Sequence, residues 1–233
     1  MKLAELSFYN KSLDDFWGVN IGHDAFILPM HAEKWHLINA QGDWDEILKG
    51  VDIFVADGVG LAWGYKFLTG RKVQKVSGID LINRLIKELP QTPTYIWGTK
   101  PEIIANAAKS YKEKGLNVVG YHDGFSGKDE EIIADIKKSG AKVCFIGMGA
   151  RRAAEMALRI HKDLEITTMT AGGSFDVASG EFKRAPVVFQ KIGLEWFWRM
   201  LADPKRFKRL PALISFIWYI MREKMDEEVR SKK

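Results

Sequence analysis

Cysteine occurs once in 233 residues, at Cys144. That excludes a disulfide framework and any metal site made of cysteines alone. Long apolar runs are also missing. The most apolar stretch, Ala212 to Met221, includes Ser215 and is about half the roughly 20 residues that a membrane-spanning helix needs. Met1 to Trp17 carries Glu5, Asp14 and Asp15 and has no apolar segment of signal-peptide length. The sequence therefore predicts a chain kept in the cytoplasm, where a lone thiol stays reduced. Cys144 lies in the run Val143-Cys144-Phe145-Ile146 and reads as a core residue. His31, His36 and His161 have no neighbours at metal-ligand spacing, so no metal site is expected. A Ser or Cys elbow of the G-x-S-x-G kind is absent as well. Internal repeats, low-complexity tracts and nucleic-acid-binding motifs do not occur.

What is present is ordinary in amount and uneven in place. Apolar residues make up 46% and charged residues 28%, which excludes wholesale disorder. The formal net charge is +5. Residues 1–195 are neutral in sum, and residues 196–233 hold ten Lys and Arg against five Asp and Glu. The whole excess sits in that final stretch, which suggests an anionic surface for it. Residues 1–195 read as one body and 196–233 as a basic, aromatic appendage opened by Trp196-Phe197-Trp198-Arg199.

Within the body, short apolar runs alternate with amphipathic ones. Strands are expected near 25–28, 53–56, 94–97, 117–120, 143–146 and 166–169. Helices are expected over 31–40, 60–68, 78–89, 101–114, 129–138 and 150–162. This alternation predicts an α/β domain with a largely parallel sheet covered by helices. Glycines mark several strand exits: Asp57-Gly58, Gly98, Gly147-Met148-Gly149 and Gly172-Gly173. Ligands of open α/β sheets bind outside those carboxyl ends.

Four groups could carry chemistry. Asp57 ends an apolar strand, where partial desolvation suits a carboxylate to general-base work; capping the next helix is the plainer use of such a residue. Gly147 and Gly149 with Arg151 and Arg152 form a Gly-rich turn into a helix, either an anion site or a tight βα turn. The third glycine of a dinucleotide fingerprint is Arg152 here, which weakens a hydride-transfer reading. Gly172 and Gly173 permit close backbone approach to a ligand, and Ser174 and Asp176 offer hydrogen bonds. Arg199, Arg206 and Arg209, seven and three residues apart, would share one helix face suited to diphosphate or lipid head groups, or would form a plain solvated face. Asp43-Trp44-Asp45 follows no apolar strand and reads as an exposed loop.

The ordered set Ala56-Asp57-Gly58-Val59-Gly60, Val76-Ser77-Gly78-Ile79-Asp80-Leu81, Gly147-Met148-Gly149, Gly172-Gly173-Ser174-Phe175-Asp176-Val177, Lys183-Arg184-Ala185-Pro186 and Gly193-Leu194-Glu195-Trp196 resembles the WecG/TagA/CpsF glycosyltransferases. The resemblance implies a Rossmann-like α/β core with a C-terminal appendage that docks on a membrane. It implies sugar transfer from a UDP-sugar donor to a polyprenyl-diphosphate-linked saccharide acceptor on the inner face of the cell membrane, inverting and without metal or other cofactor. Homo-oligomers are compatible with it. It carries a catalytic-base role to Asp57, diphosphate contacts to Arg199, Arg206 and Arg209, and substrate contacts to the positions of His31 and Lys75.

Three departures stand out. Pro29-Met30-His31-Ala32-Glu33 replaces a Thr-x-Asn-Ala-Glu pattern, Lys75 replaces an arginine, and Ala153 replaces a glutamine. Lys lacks the bidentate fork of Arg, and Ala lacks the amide of Gln. A different sugar donor explains these changes, and so does a non-catalytic paralogue that binds nucleotide-sugar or lipid-linked saccharide as a sensor or scaffold.

Overall fold

The apolar runs of the sequence become the strands of a single sheet. In the structure, a computed structural model, residues 2–11, 13, 16–20, 24–186, 188–189, 195–202 and 204–231 are described. The strands are β1 (Phe26–Met30), β2 (Ile53–Ala56), β3 (Thr94–Gly98), β4 (Val118–His122), β5 (Val143–Gly147) and β6 (Thr167–Thr170). All are parallel, in the order β2-β1-β6-β5-β3-β4. The sheet is thus the α/β, Rossmann-like one anticipated. β1, β3, β5 and β6 are buried along their whole length. Successive side chains serve opposite faces: Leu28, Cys144 and Ile146 enter one core cluster, and Ile27, Phe145 and Met169 the other.

Helices cover both faces: α1 (Phe16–Asn20), α2 (Ala32–Gln41), α3 (Asp45–Lys49), α4 (Val59–Thr69), α5 (Gly78–Glu88), α6 (Pro101–Glu113), α7 (Asp129–Lys138), α8 (Ala150–Leu164) and α9 (Ser174–Ala178). Their boundaries have local causes. Ser77 caps α5 by accepting the Asp80 N–H, and its hydroxyl donates to the Asp80 carboxylate at 2.6 Å. Pro101 sits in the first turn of α6, where its missing N–H costs nothing. The segment 43–45 departs from the loop reading. Asp43 is exposed, but Trp44 is buried and Asp45 opens α3. Burial of one indole outweighed the polarity of its two neighbours.

The basic stretch holds α10 (Glu195–Ala202), a 3-10 turn (Pro204–Arg209) and α11 (Leu210–Ser231). α11 packs on α2 and α4. It buries Ala212, Phe216 and Ile220, spaced four apart on one face. Glu223 extends that face and accepts the backbone N–H groups of Leu3 and Ala4 at 3.1 and 3.0 Å. The Lys224 ammonium donates to the Leu68 carbonyl at the end of α4, where a cation suits the helix dipole. The opposite face of α11 leaves Ile214, Ile217, Trp218, Met221, Met225 and Val229 exposed, as are Trp63 and Phe67 on α4.

Candidate active site

The carboxyl edge of the sheet gathers the exits of β1, β2 and β6 next to the start of α5. Asp57 leaves β2 with its backbone N–H bonded to the Met30 carbonyl at 2.7 Å, so it lies beside the end of β1. Lys75 flanks Ala56 in a parallel bridge, and the Val76 N–H donates to the Ala56 carbonyl. The start of α5 closes in from the same side. A Cβ on Gly78 would stand 3.7 Å from Ser174 Oγ, 3.8 Å from Pro29 Cγ and 3.9 Å from the Ala171 carbonyl. These are ordinary contact distances, and they place the start of α5 against the ends of β1 and β6. Asp80 on α5 is ion-paired with Arg184, which fastens the Lys183-Arg184-Ala185-Pro186 segment to this edge.

Behind Asp57 lies a residue the sequence reading passed over. Lys34, in the first turn of α2, is 4% exposed. Its Nζ donates to the Pro29 carbonyl at 2.6 Å and to Thr170 Oγ1 at 3.2 Å. Burial pushes its pKa down to about 8, against an opposing pull from the Asp57 charge. The only available signal was Pro29 inside an apolar strand. β1 is flanked on both sides, by β2 and β6, and a proline there removes a ladder hydrogen bond.

His31 caps α2: its Nδ1 accepts the Lys34 N–H at 3.2 Å. A neutral imidazole accepting at Nδ1 carries its proton on Nε2. Asparagine is among the best residues for such a cap. His31 fills that capping role here and fixes the start of the helix.

Further along the edge, β5 ends in Gly147. A Cβ there would overlap the Phe175 ring, so this glycine is demanded by packing. Gly149 is the N-cap of α8 and faces open space. Gly172 turns with φ +53°, also with open space where a side chain would be. Ser174 is buried at the start of α9, and Asp176, two residues on, is half-buried. Arg151 is paired with Glu155 and Asp43, and Arg152 with Asp129 at the start of α7 at 2.7 Å. Ala153 is buried in the core. Among the described residues, no group of three or more His, Cys, Asp or Glu is placed to hold a metal ion.

Arg209 reaches Glu33 at 3.1 Å, two residues from His31, so the basic stretch does meet this edge. The backbones of Arg199 and Arg206 fall in α10 and the 3-10 turn, but their side chains lie outside the described residues, as do Gly193 and Leu194. No described helix is long and apolar enough to cross a membrane.

Residues 22–230 match the sequence model described as the glycosyl transferase WecG/TagA/CpsF family. The chain belongs to that family. WecG/TagA/CpsF proteins are glycosyltransferases of cell-surface polysaccharide synthesis, and the match covers nearly the whole chain, basic stretch included.

Proposed function

We propose that this family member transfers a sugar from a UDP-sugar to a polyprenyl-diphosphate-linked saccharide, with Asp57 as general base. The observation that carries the reading is the position of Asp57: a carboxylate at the strand exit of β2, tied to the end of β1, on the same carboxyl edge of the sheet as the open turns at Gly149 and Gly172. The acceptor hydroxyl gives its proton to the Asp57 carboxylate as its oxygen bonds to the anomeric carbon. The bond from that carbon to the donor phosphate breaks, UDP leaves with the electron pair, and the configuration inverts. The turns at Gly147–Gly149 and Gly172–Gly173 hold the nucleotide diphosphate by backbone N–H groups, helped by the N-terminus of α8. Ser174, Asp176, His31, Lys75 and Arg152 line or flank the donor, and no resident metal takes part. Arg199, Arg206 and Arg209 grip the acceptor diphosphate. The basic stretch and the exposed apolar stripe of α11 rest on the anionic inner face of the cell membrane.

Asp57→Asn tests the base assignment. With short-chain polyprenyl-diphosphate saccharide and a panel of UDP-hexoses and UDP-N-acetylhexosamines, the variant should lose UDP release while keeping its fold and UDP binding. Near-normal turnover would remove Asp57 from the role. A scaffold without turnover is the competing reading, favoured by Ala153, which is buried and has no amide to offer. UDP release by the wild-type chain above background rejects it.

A further inference from the structure

Pro29 leaves a gap in the sheet at the edge where Asp57 stands. Backbone groups of alternate residues in a strand point to the same neighbour. The Thr168 N–H bonds the Ala25 carbonyl, so residues 25, 27 and 29 face β6, while Met30 faces β2 through the Asp57 N–H. A residue at 29 would offer its N–H to β6, and proline has none. The pairing of β1 with β6 accordingly ends at Ile27 and Met169, although its pairing with β2 continues to Met30 and Ala56. Lys34 Nζ fills the interval, bonded to Pro29 on one strand and Thr170 on the other.

An ammonium this buried cannot serve as a surface contact for substrate. It faces inward, held on the Pro29 carbonyl, and Asp57, held on the carbonyl of the next residue, Met30, is the anion that acts on it. The proposed reaction brings two diphosphates to the same edge. Their negative charge raises the proton affinity of any carboxylate nearby, so a base working there needs a compensating cation. We propose that Lys34 is a positioning residue for the transfer: its ammonium, locked between β1 and β6, keeps Asp57 ionised and in place while both anionic substrates are bound. This rests on the reading of Asp57 as the base.

Among the described residues, the elements around the pair carry few other charges. α2 brings His31, and also Glu33, which is paired with Arg209. The strand flank brings Lys75, and β6 brings only the uncharged Thr170. α5 brings Asp80, paired with Arg184, and α9 brings Asp176.

The test compares pH profiles of UDP release for the wild type, Lys34→Met and Asp57→Asn on the same donor panel. In Lys34→Met the acid limb of kcat, which reports the substrate-bound enzyme, should move up by about one unit or more. The limb of kcat/KM, which reports the free enzyme, should move less, and KM for the donor should stay within a few-fold. A folded Lys34→Met with an unmoved acid limb overturns the proposal. Should that variant not fold, the pair is read from the other side. NMR titration of the Lys34 side chain, in lysine-labelled protein without substrate, should place its pKa lower in Asp57→Asn than in the wild type. An unchanged titration overturns the proposal. Failure of the underlying reading looks different: Asp57→Asn would then retain turnover, whatever Lys34→Met does.

Discussion

Phe216 on α11 occupies the space that a side chain at Gly64 on α4 would need. A Cβ at Gly64 would stand 2.9 Å from the Phe216 ring and about as close to Ile220, at 3.1 Å. α4 and α11 therefore touch across a glycine. Gly64→Val should destabilise the fold by roughly 1–3 kcal/mol through overpacking, and Phe216→Ala by about 3–5 kcal/mol through a cavity. Combined, the two should cost clearly less than their sum, since each relieves the other. Urea unfolding of the four proteins measures this, and strict additivity would contradict the packing.

Glu223 holds Leu3 and Ala4 by their backbone N–H groups. Glu223→Ala should strip hydrogen-exchange protection from those two amides and loosen the turn at Leu3–Glu5, with little change in β3 or β5. Loss of protection spread evenly over the sheet would count against a local clamp.

The pair Arg209–Glu33 is largely solvent-exposed on the arginine side, and such pairs contribute at most about 1 kcal/mol. Arg209→Ala should leave the melting temperature within a few degrees. If Arg209 grips the acceptor diphosphate, as proposed, the same variant should raise the acceptor KM by roughly 10–100-fold, the value of a charge-assisted hydrogen bond. An unchanged acceptor KM would take Arg209 out of the acceptor site.

Cys144 lies fully buried in β5, and burial pushes its thiol pKa well above the ordinary range. In the native protein at pH 8 it should resist a disulfide reagent, reacting only as fast as the chain opens. Rapid stoichiometric labelling of folded protein would place the thiol elsewhere.

Lys34 makes stability depend on pH. Its folded pKa is lowered to about 8 by burial, against about 10.4 in an unfolded chain. Between those values the unfolded state binds the extra proton, so unfolding becomes harder as pH rises. The contribution is complete above about 10.4 and is lost as pH falls through 8, with a slope of up to ~1.4 kcal/mol per pH unit. The difference in unfolding free energy between the wild type and Lys34→Met should show that rise from pH 8 to 10. A flat difference would mean that Lys34 titrates as an exposed lysine.

Much of the architecture was legible because parallel strands advertise themselves. Val143 to Ile146 and Thr94 to Trp97 carry no charged residue on either side, and glycine or proline chemistry marks their exits. Strand order was not legible, since it depends on which edges the crossovers reach. Trp44 was hidden by its acidic neighbours, and α11 by its two apolar faces, of which only the one bearing Phe216 and Ile220 turns inward. At the site, Asp57 could be picked out by its place after an apolar strand. Lys34 could not. Nothing in the spacing of a lysine near the start of a helix says that its ammonium will reach in between two strands, where Pro29 offers no N–H to the ladder.

The clamp at Glu223 also bears on the order in which the chain can be assembled. Residues 3 and 4 are joined to a carboxylate some 220 positions downstream. Other contacts of the opening segment come from much earlier in the chain: Phe8 bridges Phe54, and the Tyr9 N–H donates to the Phe54 carbonyl. During synthesis residues 8 and 9 can settle once β2 has emerged, whereas the turn at Leu3–Glu5 gains these two hydrogen bonds only when the final helix has been made. A ribosome stalled before Glu223 would hold a nearly finished sheet whose first turn lacked its clamp.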